Sequence, residues 1–353
     1  MLKKIKINKV TLQNKIIIGP MCQYSAASGK PSEWHYKHLG RLSNLGAGLL
    51  MLESTAVNLS GRISKKDLQL FNNIQQKSLF KLFKYLKKQS DTAIGIQISH
   101  SGRKGSAEIP WVKHNSPLKK NKGSWNTLAP SAIKRDKKWP VPKEINKQDL
   151  KKVEQDFVES SIRAKKIGFD CLEIHMAHGY LLHQFFSPIS NKRNDEYGGS
   201  LKNRCRYPLE IFKKIRKIWP KSKILGVRIT ASDNLALGLK INDAIYLAKE
   251  LKKLKADYIA VTSGGIAPKT KIKFRDGYQV NYAHKIKKAT GMRVVALGMI
   301  NSENLIKNIF KNKKADLVAV SRRFINDPFW LIKHKLKINK DKRLLPKPYT
   351  RCF

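Results

Sequence analysis

Cys171-Leu172-Glu173-Ile174-His175-Met176-Ala177-His178-Gly179-Tyr180 joins a strand pattern to a cluster of chemistry-bearing side chains. Residues 171–175 form a short, near-continuous apolar run, as in a parallel strand buried on both faces. Seven further runs of this kind lie at 16–18, 49–57, 93–100, 224–230, 258–264, 293–298 and 317–322. Amphipathic patterns with helical spacing fall between them, at 74–88, 149–167, 203–219, 242–254 and 303–310. Eight strands alternating with helices predict an α/β fold, a (β/α)8 TIM barrel. An open, doubly wound sheet is the structural alternative. Leu45-Gly46-Ala47-Gly48 precedes a strand and lacks the third glycine of a dinucleotide fingerprint, so a separate Rossmann domain is not supported.

The 353 residues are 41% hydrophobic, enough for one barrel with insertions, and a single domain over 1–353 is expected. Segment 101–146 breaks the alternation, with Pro110, Pro117, Pro130, Pro140 and Pro142 among many Trp, Lys and Ser. It follows the third strand, which in a barrel places it on the catalytic face, and it reads as a lid. Residues 338–353 read as a C-terminal tail.

The formal net charge is +47. Nucleic acid or an acidic membrane would use such charge. A dedicated surface, however, concentrates charge and interleaves aromatics. Here basic residues occur in nearly every segment, as at Lys3-Lys4, Lys119-Lys120 and Lys213-Lys214, and Ile, Asn and Lys are abundant together. Compositional drift accounts for this, and nucleic acid is not an expected partner. Cys22, Cys171, Cys205 and Cys352 form no C-x-x-C pair, which argues against a zinc ribbon or iron–sulfur set. The N-terminus lacks the apolar stretch of a signal peptide and no run is long enough to span a membrane. A cytoplasmic protein is expected.

At the C-terminal end of a barrel strand, polar residues read as catalytic. His175 and His178 there have three readings. As neutral imidazoles they donate to a carbonyl oxygen that gains negative charge. As an H-x-x-H pair they hold a metal, with His183 or Glu173 as a further ligand. Or one of them satisfies backbone groups only. Tyr180, a phenol with a pKa near ~10, is a candidate proton donor to a carbanion-like carbon, and otherwise a packed aromatic.

The run from His175 to Arg206 resembles the signature of the Old Yellow Enzyme family. It has the histidine pair, Gly179-Tyr180, Phe186-Ser187-Pro188, Asn191, Arg193, Asp195, Tyr197-Gly198-Gly199-Ser200 and Asn203-Arg204 in order. Gly19-Pro20-Met21-Cys22-Gln23-Tyr24 is similar to the Pro-Met-Cys-x-Tyr of the family's bacterial, thermophilic-like branch. Gln97-Ile98-Ser99-His100-Ser101-Gly102-Arg103-Lys104 is similar to its Gln-Leu-x-His-x-Gly-Arg-Lys. The likeness covers nearly all of the barrel.

The resemblance implies an FMN-dependent ene reductase that passes a hydride from NAD(P)H to the activated C=C bond of an enone-type small molecule, by ping-pong exchange. It implies that His175 and His178 bind the substrate carbonyl and that Tyr180 protonates the α-carbon. Gly19, Pro20, Met21, Cys22, Ala56, Gln97 and Arg228 fall at cofactor positions, with Gln97 facing the flavin's pyrimidine edge and Arg228 stabilising its anionic reduced form. Gly298, Met299, Ser321 and Arg322 fall where loops after strands seven and eight hold phosphate. Ser321 departs from the family's usual glycine. Tyr24 and Lys104 fall at substrate positions. Pro346-Lys347-Pro348-Tyr349-Thr350-Arg351 resembles the branch's Tyr-x-Arg tail, whose Arg reaches a neighbouring subunit's site. That implies a homo-oligomer, dimer or tetramer, although Cys352-Phe353 replaces the expected Gly-Trp. The rivals are a tRNA-dihydrouridine-synthase-like flavin barrel and a basic barrel that has lost activity and binds flavin or nucleic acid. A larger dienoyl-CoA-reductase-type enzyme, with a cysteine cluster and second nucleotide domain, is not expected.

Overall fold

The structure is a computed structural model and describes residues 1–268, 270, 272–339 and 347–352. Eight parallel strands close into a barrel in chain order: β1 (Ile16–Ile18), β2 (Leu49–Ala56), β3 (Ala93–Ser99), β4 (Cys171–Met176), β5 (Ile224–Thr230), β6 (Tyr258–Thr262), β7 (Val294–Ala296) and β8 (Leu317–Val320). The open-sheet alternative is thereby removed. Several strands stop short of their apolar runs, β6 at Thr262 and β8 at Val320. The polar residues that trail those runs leave the sheet and build the loops at one end of the barrel.

Both faces of each strand are buried, but in different cores. Leu49 and Met51 of β2, Cys171, Tyr258 and Leu317 point into the barrel. Leu50 and Leu52 of β2, with Leu172 and Ile174 of β4, meet the helix layer. This is period-two alternation with an apolar residue on either side. The interior is closed at one end by an N-terminal hairpin, Ile5–Ile7 paired with Val10–Leu12, whose Ile7 and Leu12 belong to the same cluster. The sequence reading did not contain that hairpin. Its strands are three residues each, too short for a periodic signal.

The outer helices are α1 (Glu33–Ser43), α2 (Asn73–Gln89), α3 (Lys147–Ile167), α4 (Leu201–Ile218), α5 (Ile241–Lys253), α6 (Val280–Thr290), α7 (Glu303–Lys311) and α8 (Trp330–Asn339). The sequence reading lacked α1, α6 and α8. The apolar stripe of α1 is thin, carries an internal Gly40 and buries His35 and Ser43. The stripe of α6 is interrupted by Asn281, His284 and Lys285. None of the helices described is long and apolar enough to cross a membrane.

Segment 101–146 carries two 3-10 turns, Gly102–Lys104 and Lys120–Lys122, and a parallel pair, Leu128–Ala129 with Lys143–Glu144. Arg193, in the string after β4, fastens it. One guanidinium nitrogen donates to the Pro130 carbonyl at 3.0 Å and the Ile145 carbonyl at 2.7 Å, and another pairs with Asp195 at 2.5 Å. Asn191 holds the string itself by donating to the carbonyls of Phe185 and Tyr197, both at 2.7 Å. The most recognisable stretch of the sequence is thus largely scaffold. In the tail, 340–346 and 353 lie outside the described residues; Lys347–Cys352 is a 3-10 segment.

Candidate active site

The turn after β4 is left-handed. His178 has φ +55° and Gly179 φ +73°. A Cβ at Gly179 would lie 2.2 Å from the Gly265 carbonyl oxygen, so only glycine lets the two loops touch there. The amide of Gly179 donates to Nδ1 of His183 at 2.7 Å, and Nε2 of His183 lies 3.0 Å from Asp233. This brace aims His178 at two partners: Nδ1 faces Nε2 of His175 at 3.3 Å, and Nε2 faces the Thr262 hydroxyl at 2.9 Å. The Tyr180 ring sits 4.6 Å from the His175 ring, and Lys104 donates from Nζ to the His178 carbonyl at 2.7 Å. Four sequence-read residues, His175, His178, Tyr180 and Lys104, therefore meet at one point.

Burial, with the charge of Arg228 next, pushes both histidines well below the usual imidazole range. Burial pushes the Tyr180 phenol well above its usual value. The cluster is two neutral imidazoles and a protonated phenol. The metal reading fits poorly. His183 is held by Gly179 and Asp233, and Glu173 accepts from Gln97 at 2.6 Å and Tyr258 at 2.8 Å. Among the described residues no group of three or more His, Cys, Asp or Glu is arranged to hold an ion.

Beside this cluster a cavity of about 180 Å³ opens over the barrel. Its floor is apolar, with Ile17, Met51, Ala260, Val295 and Ala319. His178 and Arg228 stand on one side. Arg228 pairs in register with His175 across β4 and β5, and its Nε is buried without a hydrogen-bond partner. An unsatisfied cation in such a place is costly unless a ligand completes it. At the other end stand Gly298 with φ +101°, Met299 with φ +52°, Ser321, Arg322 and Arg323. A Cβ at Gly298 would meet the Gln279 side chain at 2.9 Å. Ser321 turns its hydroxyl to the Gly19 carbonyl at 3.4 Å.

Gly19 and Pro20 line this cavity, whereas Met21 lines a much smaller one with His35 and Glu53. Cys22 and Tyr24 pack with Tyr180 and with Trp139 of the insertion. Tyr24, at φ +48°, also meets Trp111 edge-on at 6.0 Å. Ala56 ends β2, buried, with its backbone paired to Leu68 and Leu70. Gln97 does not line the cavity. Its amide is turned to Glu173, its register partner on β4, and Glu173 lines the cavity instead. Arg351 is exposed in the 3-10 segment, away from the cavity lining. Sequence reasoning missed Tyr258, Thr262, Gln279 and Arg323, which all line the cavity. Thr262 had a signal, because it ends an apolar run at the catalytic face. Gln279 had none.

Comparison with known proteins agrees with this arrangement. The NADH:flavin oxidoreductase / NADH oxidase family matches residues 1–341. An NADH:flavin oxidoreductase of Gibberella zeae is 40% identical over 341 residues, covering 92% of this chain and 82% of that one. NADPH dehydrogenases of Clostridium acetobutylicum and Bacillus subtilis are 37% and 38% identical, covering 98% and 92% of this chain and 97% and 91% of theirs. Among solved structures, morphinone reductase in complex with tetrahydroNAD superposes with a TM-score of 0.79 at 20% identity, over 95% of this chain and 90% of that one. A 2-naphthoyl-CoA reductase superposes with a TM-score of 0.85 at 21% identity, over 98% of this chain, which spans only 53% of that longer protein. These two likenesses show the fold. The chain belongs to the NADH:flavin oxidoreductase / NADH oxidase family, the Old Yellow Enzyme family of the sequence reading. It is a flavin-dependent NAD(P)H oxidoreductase with FMN as its cofactor.

Proposed function

We propose that this protein is an ene reductase that works by ping-pong exchange, its substrate an α,β-unsaturated carbonyl or related compound. The observation that carries this is the neutral His175–His178 pair beside protonated Tyr180, with His178 lining the same cavity as Arg228, whose Nε has no hydrogen-bond partner. FMN, when bound, accepts a hydride from NAD(P)H and delivers it to the alkene. Everything else falls to this chain's residues.

Arg228 supplies a permanent positive charge to the cofactor, and Glu173 beneath it offsets part of that charge. Gly19, Pro20, Met21, Cys22 and Ala56 shape the barrel rim on the cofactor's side, and burial keeps the Cys22 thiol neutral. Gln97 serves through Glu173, which it holds in place. Backbone N–H groups at Gly298, Met299 and Ser321, with the Arg322 guanidinium, suit a phosphate dianion.

His175 and His178 each carry one N–H as neutral imidazoles, and a substrate carbonyl that replaces the contacts of His178 with His175 or Thr262 accepts from them and is polarised. Tyr180 then protonates the α-carbon. Tyr24 and Lys104 border the substrate. Segment 101–146 acts as the lid of a single-domain enzyme. In a cytoplasmic homo-oligomer, dimer or tetramer, Arg351 is free to reach a neighbouring copy.

Rapid mixing of the two half-reactions tests the assignment. In Tyr180→Phe, reoxidation by 2-cyclohexenone should slow about 100-fold, at the low end for loss of a general acid. Reduction by NADPH should change little. The reverse order would remove Tyr180 from the proton step.

A further inference from the structure

A second cavity, about 400 Å³ and open to solvent, meets the first at His178, Thr262 and Tyr278. Its walls come from the insertion, with Lys104 and Arg135 facing the loop that follows β6. A molecule placed over His178 therefore has this cleft directly beside it.

The cleft is basic and has no acidic residue among its described lining residues. Arg135 lies over the Trp139 ring at 4.5 Å, which orients its guanidinium, and its Nε is buried without a partner. Lys104 and Arg103 bond only to carbonyls: Lys104 to His178, and Arg103 to Ile266 at 3.0 Å and Ile133 at 3.1 Å. Carbonyls accept protons' dipoles but do not neutralise charge. Asp136 acts on Arg135 from the next position, but does not line the cleft. Two cations, Lys104 and Arg135, thus line the cleft, with Arg103 buried beside them near Asp233, and no acidic residue is among the described lining residues. Their mutual repulsion shows in Lys104, brought down to about 7 by burial first and then by Arg135 and Arg103.

Resting on the ene-reductase reading, we propose that this cleft selects an anionic group, carboxylate or phosphate, on the partner that sits over His178, with Arg135 and Lys104 as its anchors. Two sources have this chemistry: a carboxylate on the unsaturated substrate, and the 2′-phosphate by which NADPH differs from NADH. The alkene takes up one hydride and one proton as before; the anion is bound, not transformed.

The test uses the FMN-loaded enzyme and two matched pairs in separate half-reactions. One pair is 4-oxopent-2-enoate and its methyl ester as oxidants. The other is NADPH and NADH as reductants. In the wild type, the anionic member of at least one pair should react faster at low salt, and raising the ionic strength should narrow the gap. Arg135→Gln should cut that preference about tenfold, the worth of one charged hydrogen bond. Arg135→Glu should reverse it. Loss of the acid-over-ester preference identifies the substrate carboxylate; loss of the NADPH-over-NADH preference alone identifies the reductant's phosphate. Equal rates within both pairs, indifferent to salt and to Arg135, overturn the proposal and leave the ene-reductase reading standing. A reduced enzyme that neither oxidant reoxidises overturns that reading, and this proposal falls with it. A net charge of +47 by itself favours anions in a salt-dependent way, so Arg135→Lys, which keeps the charge, should retain the preference, and Lys213→Gln, exposed and outside the cleft, should leave it intact; a loss in Lys213→Gln equal to that in Arg135→Gln overturns the proposal.

Discussion

His175 and His178 owe their neutrality to position. A free imidazole titrates near pH ~6.5. Burial and the neighbouring Arg228 lower both, so protonation is deferred to clearly more acidic solution. Tyr180 is shifted the other way and keeps its proton into clearly alkaline solution. Neither the proposed carbonyl-binding pair nor the proposed proton donor then changes charge in the physiological range. In Lys104→Gln, which removes a substrate-bordering group brought down to about 7, reoxidation of the reduced enzyme by a neutral enone is expected to stay flat within about twofold from pH ~6 to ~9. A rate that climbs on acidification with a midpoint near ~6.5 would mean an imidazolium, not an imidazole, meets the carbonyl. At this scale the sequence was informative where residues adjacent in the chain act together, as at His175, His178 and Tyr180. It was silent where barrel closure assembles them. Gln97, Glu173 and Tyr258 come from three strands and join in one buried network. Arg135 lies in an insertion with no periodicity to mark it.

The strands show why near-continuous apolar runs read so clearly. Each needs an apolar residue on both faces, and the barrel interior tolerates no spare volume. Gly95 and Gly226 are where large neighbours take up space from adjacent strands. A Cβ at Gly95 would lie 2.3 Å from the Met51 sulfur, and one at Gly226 would lie 2.1 Å from the Tyr258 ring. The Tyr258 ring is fixed by its hydrogen bond to Glu173 at 2.8 Å. Gly226→Ala should therefore destabilise by about 2 kcal/mol, as overpacking commonly does, seen as a fall of several degrees in Tm by circular dichroism. An unchanged Tm would show that Tyr258 has room to move. Helices α1 and α6 were less legible than the strands. They bury a narrower stripe, and their polar interruptions mimic loop composition.

Across the whole molecule, 72 basic residues face 25 acidic ones, giving +47. Ion pairs such as Lys87–Asp170 and Lys287–Asp316 are few beside that excess. Self-repulsion at this charge opposes compactness, and salt screens it over about 10 Å at 0.1 M. Tm should rise as NaCl increases from low to moderate concentration; a fall would show that attractive pairs dominate instead. Barrel class and the His175–Tyr180 cluster were readable before any coordinates. The basic cleft was not, because its walls come from an insertion and a loop distant in sequence. The central claim is that the cavity over the barrel holds FMN and turns over an activated alkene. Its most direct test is the visible spectrum of the purified protein, kept anaerobic, as NADPH and then 2-cyclohexenone are added. A flavin band that bleaches with NADPH and returns with the enone is the expected result. A colourless protein that fails to take up added FMN, or a bleached band that the enone leaves unchanged, would contradict it.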